Sequence, residues 1–183
     1  IDVDERIKLE EYATAYKAYL NAARTEREAV TEAIAQAEAL GFVPYERGMV
    51  LEPGTKIYKS VRGKALMLAV MGRETLDHGA NIAAAHVDSP RLDLKPIPLY
   101  EKDEICLLKT HYYGGIKKYQ WVAMPLALHG VIIKKNGEKV PVNIGEDEND
   151  PVFCISDLLI HLAQEQMAKN CLLYTSPSPR DCS

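Results

Sequence analysis

Apolar and small side chains recur at Ile7, Leu9, Tyr12, Tyr16, Tyr19 and Leu20 among charged neighbours, a spacing that predicts an amphipathic helix over residues 4–23. Thr25 and Glu28 stand three apart ahead of a second stripe, Ala29, Val30, Ala33, Ile34, Ala37 and Leu40, which Gly41 closes. A Thr oxygen that accepts from the backbone N–H three residues on, answered by a Glu that reaches back, starts a helix, and a glycine past the last apolar position stops it. Both stripes are assigned to core packing and carry no chemistry. After Phe42 the pattern changes. Pro44, Gly48, Pro53 and Gly54 mark a loop, residues 56–62 alternate like a half-exposed strand, and residues 62–64 turn the chain. Residues 65–71 form a continuous apolar run, expected to be buried on both faces.

A polar loop over residues 72–79 leads to Ile82-Ala83-Ala84-Ala85, predicted as a buried strand that delivers His86 to its tip, because Ser89-Pro90 must end regular pairing. Further strands are predicted at 105–109, 121–126 and 130–135. Asn136-Gly137, flanked by Val131-Ile132-Ile133 and Val140-Pro141-Val142, predicts a type I′ hairpin. Ser156 is placed as the cap of a last helix, with Asp157 in its first turn and Leu158, Leu159, Leu162 and Met167 on its apolar face, running to about residue 170. Adjacent buried strands flanked by helices imply an α/β layer architecture followed by a β-rich region. In open sheets of that kind ligands collect beyond the carboxyl ends of strands, which is where His86 falls.

Composition narrows the possibilities. The 183 residues suffice for the core of one domain, or of one and part of a second. With 47% hydrophobic and 26% charged residues and a net charge of -4, neither a disordered chain nor a polyanion-binding surface is expected, so nucleic acid is not an expected partner. No apolar run reaches the length of a membrane span, and the first residues lack the basic-then-apolar layout of a signal peptide. Cys106, Cys154, Cys171 and Cys182 show no C-x-x-C spacing, which argues against a thiolate zinc site or redox pair and for free thiols in a reducing compartment. The expected location is the cytoplasm. The chain opens without Met, which fits a fragment or a processed start.

His86 and Asp88 carry the candidate chemistry. Residues two apart on an extended chain face one side, so the Asp88 carboxylate can accept the proton on one ring nitrogen of His86 while the other nitrogen binds a cation. A buried or capping histidine fits the same two residues. His78, His111 and His129 have no ligand partner at a telling spacing, and the acidic run 146–150 reads as a solvated loop. Arg91 either orients a substrate or pairs with Asp93. Gly114-Gly115 lacks the lysine of a phosphate loop, and no Gly-x-Ser-x-Gly is present.

The segment Ala85-His86-Val87-Asp88-Ser89-Pro90-Arg91-Leu92, with Leu94-Lys95-Pro96 behind it and Tyr113-Gly114-Gly115 further on, resembles the aspartyl aminopeptidase family of dinuclear zinc exopeptidases. The resemblance covers about residues 4–170. It is nearest to a bacterial subset, since Ile116-Lys117-Lys118-Tyr119-Gln120-Trp121 stands where other members carry a Trp-rich Phe-Asp-Arg-Asp segment. It implies a partial mixed-sheet α/β zinc-exopeptidase catalytic domain over residues 1–94 and much of a β-rich inserted dimerisation domain over 95–170. By the same resemblance His86 is a zinc ligand, Asp88 supports it, and His161, in Ile160-His161-Leu162, contacts substrate in a neighbouring subunit's active site. For His161 the other reading is helix packing beside Leu158 and Leu162.

The resemblance further implies two zinc ions per complete subunit, a peptide substrate cleaved at its unblocked N-terminal residue, with acidic residues among the candidates, and a homo-oligomer built through the insert. The remaining ligands and the general base would come from sequence beyond residue 170, so the 183-residue chain is expected to be inactive. Residues 172–181 are closely similar to the conceptual translation of a transposon-type sequencing adapter, so residues 171–183 are expected to be a non-native, disordered tail. The competing reading is a non-catalytic oligomerisation module whose His86-Val87-Asp88 is structural. Downstream metal-ligating residues separate the two.

Overall fold

Helix α2 (Glu26–Ala39) begins where the Thr-x-x-Glu pattern places it. In this computed structural model, which describes residues 2–157 and 159–164, the Glu28 N–H donates to Thr25 Oγ1 at 3.3 Å and the Thr25 N–H donates to Glu28 Oε2 at 2.9 Å. Two N–H groups that the first helical turn cannot satisfy are thereby paired. Helix α1 (Val3–Ala22) starts on a second capping box, Asp2 with Glu5, which the apolar spacing alone did not reveal.

The chain divides into two compact units, Ile1–Ser89 and Pro90–Ser183. Residue 94, where the sequence reading ended the first domain, lies inside a strand of the second unit. In the first unit, β1 (Val43–Pro44), β2 (Lys56–Val61) and β3 (Ala65–Val70) form a sheet in the order β1-β2-β3, with β1 parallel and β3 antiparallel to β2. Arg62 and Gly63 join β2 to β3 with φ of 56° and 65°, the two positive values a type I′ turn requires, and the Lys64 N–H closes the turn on the Val61 carbonyl at 3.1 Å.

Helix α2 packs on β2 and β3 and supplies most of the core: Ala29, Val30 and Ala37 are buried, with Ile57 of β2. Side-chain ties reinforce the layer. The Tyr58 hydroxyl donates to Glu38 Oε1 at 2.6 Å, a hydrogen bond that raises the phenol pKa, and Lys56 Nζ donates to the Leu40 carbonyl at 2.8 Å.

Three expectations for this unit fail, for a common reason. No residue of α1 is buried, although its stripe was assigned to the core, because α1 packs chiefly against α2. β3 is not covered on both faces: Met67, Leu68 and Val70 are exposed, since β3 is the last strand of its sheet. Residues 82–85 are not a strand but irregular backbone, with Ile82 87% exposed. Each element lacks a neighbour that its sequence is built to meet.

The second unit is made of hairpins. β4 (Arg91–Lys102) pairs antiparallel with β5 (Ile105–Tyr113), and the register shifts between Leu94 and Leu99. Pro96 and Pro98 fall inside that irregularity, where the missing N–H groups break no ladder bond, and Ile97 between them takes a φ of 54°. Proline content had hidden β4 from the sequence reading. The predicted strand 121–126 is absent. In its place Val122 bridges Ile155 and Leu126 bridges Phe153, with Ala123 at a φ of 57° breaking the extended run.

β6 (Leu128–Ile133) and β7 (Lys139–Ile144) form the expected hairpin, but not with a type I′ turn. Only Gly137 has positive φ, at 83°; its N–H bonds the Lys134 carbonyl at 2.9 Å, and the Lys134 N–H bonds the Glu138 carbonyl at 2.9 Å. That is a type I turn with a bulge at the glycine. Asn136 contributes its side chain instead, its Oδ1 accepting from the Glu138 N–H at 3.0 Å. The helix expected to start at Ser156 does not: residues 156, 157 and 159 are not helical, and a short 3₁₀ turn follows at Ile160–Leu162. Ile155 and Phe153 still bridge across to 122 and 126, which keeps the preceding chain extended. Leu158, Met167 and the tail 171–183 lie outside the described residues.

The cap on α2 gives a direct test. Thr25→Ala removes the side-chain half of the box and is expected to lower stability by about 1 kcal/mol, whereas Thr25→Ser retains most of it. Chemical denaturation followed by far-ultraviolet circular dichroism reads the difference.

Candidate metal centre

The ring of His86 is 81% exposed, and its Nδ1 lies 2.7 Å from the Asp88 backbone oxygen. A carbonyl only accepts, so this bond assigns the proton to Nδ1 and leaves the Nε2 lone pair as the cation-binding atom. The Asp88 carboxylate is the more distant neighbour, Oδ1 standing 3.5 Å from the same nitrogen. The sequence reading gave the orienting role to the carboxylate; the main chain of the same residue holds the shorter contact. Residues 85–89 reach this arrangement as irregular backbone.

These residues border a cleft of about 350 Å³ within the first unit. Tyr19, Leu20 and Ala23 from the end of α1, Ala29, Val30 and Ala33 from α2, and Leu66 from β3 make its apolar wall. A polar rim of His86, Asp88 and Ser89 over an apolar wall is the make-up of a small-ligand or peptide-end site.

The other candidates fall elsewhere. His161 sits on the 3₁₀ turn of the second unit and is exposed. Arg91 takes the ion-pair alternative: its Nε donates to Asp93 Oδ1 at 2.7 Å, and its guanidinium lies 4.2 Å from the centre of the Tyr113 ring. Their register explains the grouping, since Arg91 stands opposite Tyr113 across the β4–β5 ladder and Asp93 opposite His111.

His129 lies in β6, not at a turn, and its Nε2 is 3.1 Å from Glu146 Oε1. That pair spans 17 positions and depends on the β6–β7 register, so no local spacing announces it. Glu146 and Asp150, which accepts from the Gly145 N–H at 2.9 Å, are therefore structural members of the acidic loop.

A structural zinc needs about four protein ligands and a catalytic zinc about three. His86, with Nδ1 engaged by a backbone oxygen and Nε2 outside that bond, has the chemistry of one such ligand. Among the described residues no group of three or more His, Cys, Asp or Glu side chains is placed to hold a metal ion.

Comparison with known proteins decides what the motif belongs to. The sequence profile of the aminopeptidase I zinc metalloprotease (M18) family matches residues 19–172. The chain belongs to the M18 family. It is 53% identical over 158 residues to the probable M18 family aminopeptidase 1 of Clostridium acetobutylicum, covering 84% of this chain and 34% of that protein. It is 31% identical over 151 residues to the aspartyl aminopeptidase of Caenorhabditis elegans, covering 81% and 32%. The crystal structure of aminopeptidase I from Borrelia burgdorferi superposes with a TM-score of 0.83 at 44% identity, over 87% of this chain and 40% of that one.

The mixed α/β architecture is thus the M18 fold, and the chain spans about a third of the length of the curated relatives it matches. The resemblance read from His86-Val87-Asp88 and its flanks identified this family correctly. No helix among the described residues is long and apolar enough to cross a membrane.

A single imidazole does not hold zinc against water. Calorimetric titration of the 183-residue chain with zinc is expected to show no saturable one-to-one isotherm; a tight stoichiometric one contradicts the ligand set given above.

Proposed function

We propose that this chain carries one part of an M18 zinc aminopeptidase that removes N-terminal residues from peptides, with His86 as a zinc ligand and Asp88 as its support. The observation that carries the reading is the His86 ring, fixed through Nδ1 by the Asp88 carbonyl and presenting Nε2 outward, in a chain whose family is named for zinc proteolysis. When bound, zinc supplies Lewis-acid polarisation of the scissile carbonyl. His86 contributes an imidazole nitrogen whose orientation is set through Nδ1 before a cation arrives. Asp88 adds a negative charge at 3.5 Å, which favours the polarised ring that a bound cation draws out. An apolar wall stands beside that ligand on one side of the cleft. Two zinc ions per complete subunit, with the second His, the bridging carboxylate and the general base supplied from outside these 183 residues, complete the reading.

We assign the first unit to part of the catalytic domain and the second to part of a dimerisation insert through which the protein forms a homo-oligomer. Exposed apolar side chains on both ribbons of the second unit, among them Leu99, Ile105, Ile132 and Ile133, support an interface there. An isolated two-stranded ribbon is marginal in water, so such ribbons gain from a partner. His161, exposed on its turn, is the residue we assign to a neighbouring subunit's substrate. Cys106 and Cys154 are free and exposed, which supports a reducing, cytoplasmic setting.

The reading is tested in the full-length enzyme with a panel of N-terminal residues, with and without chelator. His86→Ala is expected to abolish turnover and lower bound zinc, and Asp88→Asn to cost about 10–100-fold in activity or metal affinity. His161→Ala is expected to lower kcat/KM with the zinc content and oligomer size unchanged. Full turnover by the His86→Ala enzyme sinks the assignment.

A further inference from the structure

The β6–β7 hairpin turns at Asn136, the one asparagine of this chain that glycine follows, and both Asn136 and Gly137 are exposed. That dipeptide is chemically reactive, because glycine has no side chain to keep its backbone nitrogen away from the preceding carboxamide. Asn143 in β7 is the contrasting case: it precedes Ile144, whose β-branched side chain obstructs the same approach.

The turn holds the two reacting groups in opposite states. Asn136 Oδ1 accepts from the Glu138 N–H at 3.0 Å, which draws electrons from Cγ and opens that carbon to attack. Gly137, the attacking group, has its N–H donated to the Lys134 carbonyl at 2.9 Å. An amide nitrogen attacks only after its proton has left, so this bond masks the nucleophile. It is enclosed by the hairpin itself. The Lys134 N–H donates to the Glu138 carbonyl at 2.9 Å, Lys134 Nζ lies 3.0 Å from Glu138 Oε1, and the ladder begins next to them at Ile133 and Lys139.

We propose that Asn136 is a site of spontaneous conversion to aspartate and isoaspartate, and that the pairing of β6 with β7 governs the rate, so that conversion records opening of the hairpin. The chemistry consumes only water. When the turn opens, solvent base removes the Gly137 proton and the nitrogen bonds to Asn136 Cγ. The Cγ–Nδ2 bond breaks, and Nδ2 takes a proton from solvent and leaves as ammonia, which closes a cyclic imide. Water then opens the imide. Attack at Cγ breaks the bond just formed and gives aspartate. Attack at the main-chain carbonyl carbon of residue 136 breaks the original peptide bond and gives isoaspartate, whose main chain is longer by one carbon. Either product adds a negative charge at the turn and removes the Nδ2 group that lies 3.4 Å from Glu138 Oε2.

The test incubates the 183-residue chain at mildly alkaline pH, without denaturant and in a series of guanidinium chloride concentrations. Peptide mapping by mass spectrometry reads the amide-to-acid mass gain and the isoaspartate content at each asparagine. In denaturant, conversion at Asn136 is expected to outrun that at Asn143. Without denaturant it is expected to be at least about tenfold slower than in the unfolded chain. At low denaturant, where far-ultraviolet circular dichroism is unchanged, its rate is expected to rise in step with hydrogen exchange of the Gly137 amide at the same pH. Asn136→Ser is expected to abolish the mass gain in that peptide.

Equal rates at Asn136 in the folded and unfolded chain overturn the proposal. So does a rate that does not follow Gly137 exchange, or faster conversion at Asn143 than at Asn136 in the unfolded chain.

Discussion

A strand exists only where a second backbone lies beside it, and that requirement governs most of what this chain does and does not form. Helix α2 can be specified locally, since Thr25, Glu28 and the small-residue face lie within 14 positions and close their own hydrogen bonds. Residues 82–85 have no such recourse. Their N–H and C=O groups need a neighbour across about 4.8 Å, and no described segment provides one. The same shortage explains why Ile57 is buried and Met67 is not, although they alternate onto the same face of paired strands: Ile57 lies in the central strand and Met67 at the sheet's end.

What could be read from the sequence follows from that division. Both long helices, the β2–β3 pair and the β6–β7 hairpin rest on short-range pattern and were legible. β4 was not, because Pro96 and Pro98 argue against a strand until the bulge between Leu94 and Leu99 is known. The type I′ geometry expected at Asn136-Gly137 appears at the other hairpin. Asn136-Gly137 carries the stronger local signature for two positive φ values, yet Arg62-Gly63 adopts them. At 134–138 only Gly137 has a positive φ, and the Asn136 side chain is used for a hydrogen bond from the Glu138 N–H.

The metal motif was legible for a different reason. Spacing alone allowed a structural histidine, and the residues around it, not the His-x-Asp pair, carried the family resemblance that the profile match bears out. The His129–Glu146 contact shows the reverse case: chemically as suggestive as His86–Asp88, but dependent on a pairing of distant strands and bound up in a structural loop.

The geometry at His86 also separates two jobs that the sequence had merged in one side chain. The tautomer is set by a backbone oxygen, 2.7 Å from Nδ1, and any residue at position 88 would keep that oxygen as long as the local backbone conformation survives. The carboxylate at 3.5 Å is too long for the primary hydrogen bond and contributes chiefly as a charge. An asparagine at 88 therefore leaves the ring pointing the same way and removes the negative charge beside it. Orientation is then secured by the main-chain conformation of residues 86–88, and a change that alters it is expected to disturb the ligand more than the loss of the Asp88 carboxylate does.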